Sequence, residues 1–214
     1  MRFAVIGASG RIGGRIAREA LARGHEVTAV VRESSTVDLG EGPAVVRADA
    51  FDPASVAAAV GGCDVVVSAV GHAASRDDPG FYVRAARSYV NALRPLGIDG
   101  PRLLVVGGFG ALESAPGVQM ADAPGIPDHA RPEIGGQRDA LAFYRTVTDV
   151  RWTYFCPPPG GIRPGERTGA YRSQRDRVIG EPRDSRISME DFAVGLVDEA
   201  ERGEYPYACV ALAN

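Results

Sequence analysis

The sequence predicts an α/β protein built on a doubly wound, mostly parallel sheet with helices on both faces. Short, nearly uninterrupted apolar runs alternate along the chain with patterns of helical period. This alternation is typical of strand–helix–strand units whose sheet is covered on both sides. A glycine-rich turn joins the first strand to the first helix. At 214 residues the chain is long enough for one well-buried core, so we expect residues 1–214 to form a single domain.

The first five strands and three helices follow in chain order. A helical pattern follows the first strand and ends at Gly24. Asp52 is expected to cap the second helix, with Pro53 at its first position. The third helix is predicted over residues 81–93 and is closed by Pro95 and Gly97. The strands are predicted over residues 3–6, 26–31, 44–49, 64–71 and 102–106.

The C-terminal part of the chain predicts an interruption and then two more elements. Residues 163–186 are dense in arginine, glycine and aspartate, and we expect residues 157–187 to form a hairpin or loop excursion over the substrate side of the cleft. Ser188 is expected to cap a helix that runs through Ala200, with Asp191 at the capping-box position. Residues 205–212 should add a final strand.

The glycine turn is the most informative segment of the chain. Residues 7–13 read Gly-Ala-Ser-Gly-Arg-Ile-Gly directly after an apolar run. Gly7 permits the tight reversal, Gly10 removes a side chain where a pyrophosphate must approach, and Gly13 lets the helix pack on the strand. The N–H groups at the helix start then face the anion. We therefore expect a dinucleotide to contact Gly7, Ser9, Gly10, Arg11, Ile12 and Gly13.

The residues after the second strand bear on which dinucleotide binds. A ribose 2′-hydroxyl is usually held by a carboxylate at this point, whereas a 2′-phosphate requires a cation. Arg32 ends the strand, and Arg11 and Ser9 could add donors to the same phosphate. These residues favour NADP(H). Glu33, one position further on, is the alternative ligand, to the ribose of NAD.

Three further segments should meet the cofactor, because ligands of such sheets lie across the carboxyl ends of the strands. Asp49 and Ala50 end the third strand, where the carboxylate either accepts a hydrogen bond from adenine or stabilises its own turn. A small-residue turn ends the fourth strand and could lie beside the ribose. The fifth strand ends near the nicotinamide. The residues assigned to these last two contacts are Ala69, Val70, Gly71 and Gly107.

Composition excludes several other classes of protein. The net charge is −3 with 45% hydrophobic residues, which gives no electrostatic basis for binding nucleic acid or an anionic membrane. No apolar run approaches the ~20 residues that span a bilayer. The apolar first strand begins at the N-terminus and leaves no room for a signal peptide. Cys63, Cys156 and Cys209 lack metal-ligand spacing, so we expect reduced thiols, no metal site and a cytoplasmic location.

Several motifs together carry a resemblance to a known family. They are Gly7-x-x-Gly10-x-x-Gly13, Asp49-Ala50-Phe51-Asp52, Val105-Val106-Gly107-Gly108, and the segments 152–158, 164–172 and 186–193. The chain resembles the atypical short-chain dehydrogenases of the NAD(P)H-binding, NmrA-like group, and most closely its small members named NADH-flavin reductases. The resemblance spans essentially the whole chain. It implies a Rossmann-type sheet in the order 3-2-1-4-5-6, with NADP(H) bound at the carboxyl ends of the strands.

The chain departs from this family in its catalytic residues. His129 and Arg131 occupy the stretch where many relatives carry a tyrosine and a lysine, and Gly108-Phe109-Gly110 stand where better-known members place a serine. All 24 basic residues are arginine, which does not deprotonate in proteins and cannot replace a catalytic lysine. No Ser-Tyr-Lys triad is therefore in evidence.

These departures favour a reductase of a planar acceptor. Hydride transfer to a flavin or quinone depends more on positioning and an apolar wall than on a tuned acid. The candidate wall residues are Phe109, Pro157 and Pro158, and the candidate proton donors are His129 and His72. The expected partner is a small planar substrate, and the oligomeric state is left open. Two alternatives remain: a non-catalytic NADP(H) sensor of the NmrA type and, less favoured, a nucleotide-sugar epimerase.

Overall fold

The computed structural model describes residues 1–40, 42–71, 78 and 80–214. Within these residues the chain forms five α-helices and twelve strands. The helices are α1 (Arg11–Ala22), α2 (Pro53–Ala59), α3 (Phe81–Leu93), α4 (Arg131–Tyr144) and α5 (Met189–Arg202). The strands are β1 (Arg2–Ile6), β2 (Glu26–Val31), β3 (Ala44–Arg47), β4 (Val65–Ser68), β5 (Arg102–Val106), β6 (Glu113–Ala115), β7 (Val118–Gln119), β8 (Trp152–Cys156), β9 (Ile162–Arg163), β10 (Arg172–Arg175), β11 (Ile187–Ser188) and β12 (Ala208–Ala213).

An eight-stranded sheet forms the centre of the described structure, in the order β10-β12-β8-β5-β4-β1-β2-β3. The pairings from β3 to β12 are parallel, and β10 pairs antiparallel with β12 at the edge. The predicted order 3-2-1-4-5-6 is therefore confirmed, with β8 as the sixth strand. The final strand and β10, which lies within residues 157–187, extend the sheet on that side.

Helices cover both faces of the sheet, as predicted. Alternate side chains of β1 enter opposite cores, because successive residues of a strand point to opposite faces. Phe3 and Val5 pack with α1 and α5, whereas Ala4 and Ile6 pack with α2, α3 and α4. The sheet is thus buried on both sides, which accounts for its uninterrupted apolar runs.

The predicted element boundaries are close to those observed. Helix α3 and strand β5 begin and end where the sequence predicts. The third and fourth strands are shorter than predicted, ending at Arg47 and Ser68. Asp49 starts a turn by accepting the N–H of Phe51 at 2.9 Å, and this turn ends the third strand. No helix of the described residues is long and apolar enough to cross a membrane.

Residues 164–171, which we call the strap, run across α1 and α5 and are held there by buried carboxylates. Glu19 of α1 is 6% exposed and accepts two bonds from Arg167, at 2.7 and 2.8 Å. Asp198 accepts the hydroxyl of Tyr171 at 2.6 Å. Arg23 bridges Glu19 and Asp198 at 2.8 and 2.7 Å. Several charges therefore share one network, and buried charges of this kind are tolerated only when they are paired.

Asp191 of α5 holds the strap at a second point. One of the two bonds of the predicted capping box is present: the Oγ of Ser188 accepts a hydrogen bond from the N–H of Asp191 at 2.9 Å. The Asp191 carboxylate turns toward the strap and accepts the N–H groups of Thr168 and Gly169 at 2.9 and 2.8 Å. The N–H of Ser188 donates to the Oδ1 of Asn214. The reciprocal bond of a capping box is therefore replaced by a tertiary contact.

This environment lowers the pKa of Asp191. Burial alone would raise the pKa of the carboxyl, but the hydrogen bonds from Thr168, Gly169 and Asn214 outweigh burial and favour the ionised form. A folded-state pKa below the unfolded value of about 3.9 stabilises the native state above that pH. The stabilisation is lost as the pH falls through the folded-state pKa.

We predict that Asp191→Asn lowers the free energy of unfolding at pH 7 by about 2–3 kcal/mol, because an amide cannot satisfy the donors of the strap. The loss should shrink as the pH falls below about 4. Urea unfolding at a series of pH values measures both effects. Asp99→Asn, at an exposed position, is the matched control and should change little. An equal loss for Asp191→Asn at every pH would contradict the role of its charge.

Candidate cofactor site

The glycine turn brings the start of α1 against the end of β1. Gly7 has φ +88°, in the left-handed region that favours glycine. A Cβ on Gly13 would lie 2.2 Å from the carbonyl oxygen of Gly7, so only glycine lets the helix pack this closely. Gly10 differs, because it is exposed and a Cβ there would lie 3.1 Å from the carbonyl oxygen of Gly7 and 4.0 Å from that of Ala69. The space beside Gly10 opens outward from the turn.

The first turn of α1 offers free donors at this opening. Gly14 is the first helical residue whose N–H bonds back, to the oxygen of Gly10 at 2.9 Å. The N–H groups of Arg11, Ile12 and Gly13 therefore have no partner within the helix, and this turn contains no acidic residue. Ser9 is exposed beside them. Free donors, the positive end of the helix dipole and a missing side chain fit the pyrophosphate of a dinucleotide.

Two arginines lie beside this opening with exposed guanidinium groups. Neither the Arg11 nor the Arg32 guanidinium has an ion pair or hydrogen bond within the described part of the chain. Glu33 is 88% exposed at its side chain, and its carboxylate lies 3.8 Å from the Nε of Arg47. The turn after β2 thus presents one available cation, Arg32, and one carboxylate that faces Arg47 on the neighbouring strand, while Arg11 is a second available cation at the start of α1.

The turn after β3 is stabilised by its own aspartate. The Oδ1 of Asp49 accepts the N–H of Phe51 at 2.9 Å, and the N–H of Asp49 donates to the Oγ of Ser55 at 3.0 Å. The observed contacts of Asp49 are therefore those of a residue that stabilises its own turn. Asp49 is exposed and Ala50 is half-buried, and contact of either residue with adenine stays a prediction.

Tyr82 of α3 and Glu133 of α4 lie beside the turn after β4, and the sequence alone singles out neither residue. The turn continues through Ala69 and Val70 to Gly71, which has φ +144°. A Cβ on Gly71 would lie 2.6 Å from the Oη of Tyr82. Tyr82 donates its hydroxyl to Glu133 at 3.2 Å, an arrangement that can hold or pass a proton. His72 lies outside the described residues.

The glycines after β5 pack against helix α4 and against Tyr154 of β8. A Cβ on Gly107 would lie 1.9 Å from the ring of Tyr154, and one on Gly110 would lie 2.3 Å from Ile134. A Cβ on Gly108 would overlap the side chain of Gln137. The helix occupies the space that a side chain would need here. The predicted absence of a catalytic serine therefore has a packing reason.

Tyr154 is held in place as a packing residue. Its ring is 1% exposed, and its hydroxyl donates to the carbonyl oxygen of Gln137 at 2.9 Å. Burial raises the pKa of the phenol well above its ordinary value, so the hydroxyl stays protonated. Its role is to fix α4 against β8 and β5.

The remaining predicted site residues differ in exposure. Phe109 and Pro157 are half-buried, and Pro158 is buried, at the ends of β5 and β8. They stand at the same edge of the sheet as the glycine turn, as two walls of a flat site would. His129 is exposed just before α4, and no hydrogen bond of its ring is present within the described part of the chain.

A comparison with known proteins identifies the family. A family model described as NAD(P)H-binding matches residues 7–200. The chain belongs to this family. Bacillus subtilis YwnB is 35% identical over 208 residues, covering 96% of this chain and 94% of YwnB. This confirms the predicted resemblance, and a nicotinamide dinucleotide is the cofactor class of this NAD(P)H-binding protein.

Solved structures give the same result over the whole chain. A Burkholderia pseudomallei protein, provisionally named an exported protein, is 41% identical with a TM-score of 0.87 and full coverage of both chains. A Streptococcus pneumoniae protein, provisionally named an NADH-flavin reductase, is 31% identical with a TM-score of 0.86. The match covers 100% of this chain and 99% of that one. The predicted cytoplasmic location and the 157–187 excursion stay predictions.

We predict that Gly107→Ala lowers the free energy of unfolding by about 1–3 kcal/mol, the usual cost of overpacking a filled core. The added methyl group must displace the buried Tyr154 ring, and chemical denaturation measures the cost. Gly135→Ala, in α4 with no other heavy atom within 4 Å of the added Cβ, is the control. It should instead raise stability by about 0.5–1 kcal/mol. Equal effects of the two substitutions on the free energy of unfolding would show that the Tyr154 ring does not limit the space at Gly107.

Proposed function

We propose that this protein is an NADPH-dependent reductase of a planar acceptor such as a flavin or quinone. The observation that carries the proposal is the glycine-lined edge at the carboxyl ends of β1, β4 and β5. Gly10 is exposed at this edge, whereas the Cβ positions of Gly71 and Gly107 are filled by Tyr82 and Tyr154. The dinucleotide would therefore lie along the open side of Gly10, with the acceptor beside Phe109 and Pro157. The Streptococcus pneumoniae relative with the provisional name NADH-flavin reductase supports the same reaction class.

The preference for NADPH over NADH rests on charge. Arg11 and Arg32 have available guanidinium groups beside the predicted ribose position, and a guanidinium matches the geometry of a phosphate. A 2′-phosphate would pair with them at the turn after β2. Glu33 is the group that would favour NADH, and the nearby guanidinium of Arg47 weakens its effect.

Bound NADPH supplies the hydride, so the protein need only position the acceptor and exclude competing reactions. Phe109, Pro157 and Pro158 are the proposed walls of the acceptor site. A proton for the reduced acceptor could come from His129, from the Tyr82–Glu133 pair or from water. A Tyr-Lys acid is not required for this chemistry.

A second candidate function is a non-catalytic NADP(H) sensor. The packing of α4 against Gly108 and Gly110 favours it, because glycines stand where better-known relatives use a catalytic serine. In that function the occupied cofactor site would change the affinity for a protein partner. An epimerase is less favoured, since the chain contains no lysine.

We predict that the protein binds NADPH more tightly than NADH and that Arg32→Ala removes most of the difference. The expected loss is about 1.5–3 kcal/mol for a charge-assisted hydrogen bond. Fluorescence titration with both cofactors measures it. Arg177→Ala, an exposed arginine near the opposite edge of the sheet, is the control. Equal affinities in the unmodified protein would refute the NADPH preference and make Glu33 the better candidate for the ribose contact.

The reductase function predicts that NADPH is oxidised in the presence of FMN, riboflavin or menadione, and not with simple aldehydes. Gly10→Val should abolish turnover while circular dichroism shows a folded protein, because the branched side chain fills the phosphate position. Gly61→Val, at the exposed end of α2, is the control. Tight NADPH binding without turnover of any acceptor would refute the reductase and favour the sensor. A pull-down with and without NADPH would then test the sensor.

A further inference from the structure

We propose that Arg47, at the end of edge strand β3, is a specificity-determining residue for the 2′-phosphate. It acts by positioning the turn after β2. This inference rests on the proposed preference for NADPH and deepens it. Arg47 itself is not assigned to touch the phosphate; Arg32 and Arg11 are.

The first observation is the set of bonds that Arg47 makes to the turn. Its Nη1 donates to the carbonyl oxygens of Arg32 and Ser35, at 3.1 and 3.3 Å, and to that of Glu33. One terminal nitrogen of Arg47 therefore lies against three carbonyl groups of a single turn, those of residues 32, 33 and 35, and shares its two hydrogens among them. A lysine ammonium stands on a side chain one bond shorter and has no Nε to face Glu33, so it would not reproduce this set of contacts.

The second observation is the direction that these bonds impose on the turn. The N–H of Ser35 bonds to the oxygen of Arg32 at 3.0 Å, so residues 32–35 already form a closed turn. With its carbonyl dipoles directed at Arg47, the turn presents less partial negative charge to a phosphate on its other side. The Arg32 side chain remains exposed and available.

The third observation concerns the one carboxylate at this turn. The Oε1 of Glu33 lies 3.8 Å from the Nε of Arg47, with both side chains well exposed. A surface pair of this kind contributes little to stability. The pair does place the positive charge of Arg47 beside the Glu33 carboxylate, which would otherwise repel a 2′-phosphate. Arg47 thus opposes Glu33 by its charge and orders the turn by its hydrogen bonds.

These contacts separate the role of Arg47 from that of an ordinary solvated arginine. Arg175 ends β10 at the opposite edge of the sheet and donates to one carbonyl oxygen, that of Glu204 at 3.2 Å. It is also exposed and also donates to a carbonyl oxygen, but it lies over the Tyr205 ring and far from the glycine turn in the strand order. Arg175→Ala is therefore a matched control for Arg47→Ala.

The test compares two probes that differ only in the phosphate of interest, adenosine 2′,5′-bisphosphate and adenosine 5′-monophosphate. Calorimetry gives both dissociation constants for the full chain and its variants. Arg47→Ala should raise the dissociation constant of the bisphosphate about tenfold and that of the monophosphate less than about twofold. This is the size expected when charge-assisted hydrogen bonds that order the phosphate site are lost. Arg47→Lys should restore only part of the loss, because it keeps the charge on a side chain one bond shorter that has no Nε beside Glu33. Arg175→Ala should match the unmodified protein.

The possible results distinguish this inference from the proposed function. If the unmodified protein prefers the bisphosphate and Arg47→Ala keeps that preference, Arg47 has no role in specificity, although the NADPH preference stands. Equal weakening of both probes by Arg47→Ala would show a general structural role and overturn the inference. Full recovery by Arg47→Lys would overturn the positioning role. Equal binding of the two probes to the unmodified protein would overturn the NADPH preference and this inference together.

Discussion

The contact between Gly13 and the carbonyl group of Gly7 is the constraint on which the candidate site depends. A Cβ on Gly13 would lie 2.2 Å from that oxygen, so the closeness of α1 to β1 requires the missing side chain. Gly7 in turn lies against the carbonyl oxygen of Ala69, 2.7 Å from where its own Cβ would be. The ends of β1 and β4 and the start of α1 are thus fixed relative to one another. The free N–H groups and the glycine-lined edge follow from this packing.

The motifs that carry the family resemblance beyond the glycine turn have mainly a structural role. Arg167, Thr168 and Gly169 bind the buried carboxylates of Glu19 and Asp191. These bonds attach the strap to α1 and α5, the two helices on the face that presents the glycine turn. The motifs therefore report on how the cofactor domain is held together. The motifs 164–172 and 186–193 contain none of the residues assigned to the acceptor, whereas the segment 152–158 contains the proposed walls Pro157 and Pro158.

The sequence predicts the fold well because its signals are local. The glycines, the Asp52–Pro53 helix start and the apolar runs each specify structure within a few residues. The contacts that complete the site join residues far apart in the chain. Tyr82 and Glu133 are 51 positions apart, and each looks like an ordinary core or helix-surface residue. Cys156 and Cys209, 53 positions apart, lie on adjacent strands with their Sγ atoms 3.3 Å apart. The spacing of apolar residues along the sequence does not reveal such pairs.

Packing limits where the segment after β5 could carry a further side chain. In the described structure Gly108 and Gly110 face Gln137 and Ile134 of α4, and Gly107 faces the Tyr154 ring of β8. A serine at Gly108, within the stretch where better-known family members place one, would overlap the side chain of Gln137 and requires that this side chain move. The proposed function accordingly does not use reduction of a carbonyl to an alkoxide, which depends on a positioned acid. Hydride transfer to a delocalised ring, the proposed reaction, spreads the developing charge within the acceptor itself and needs no such acid.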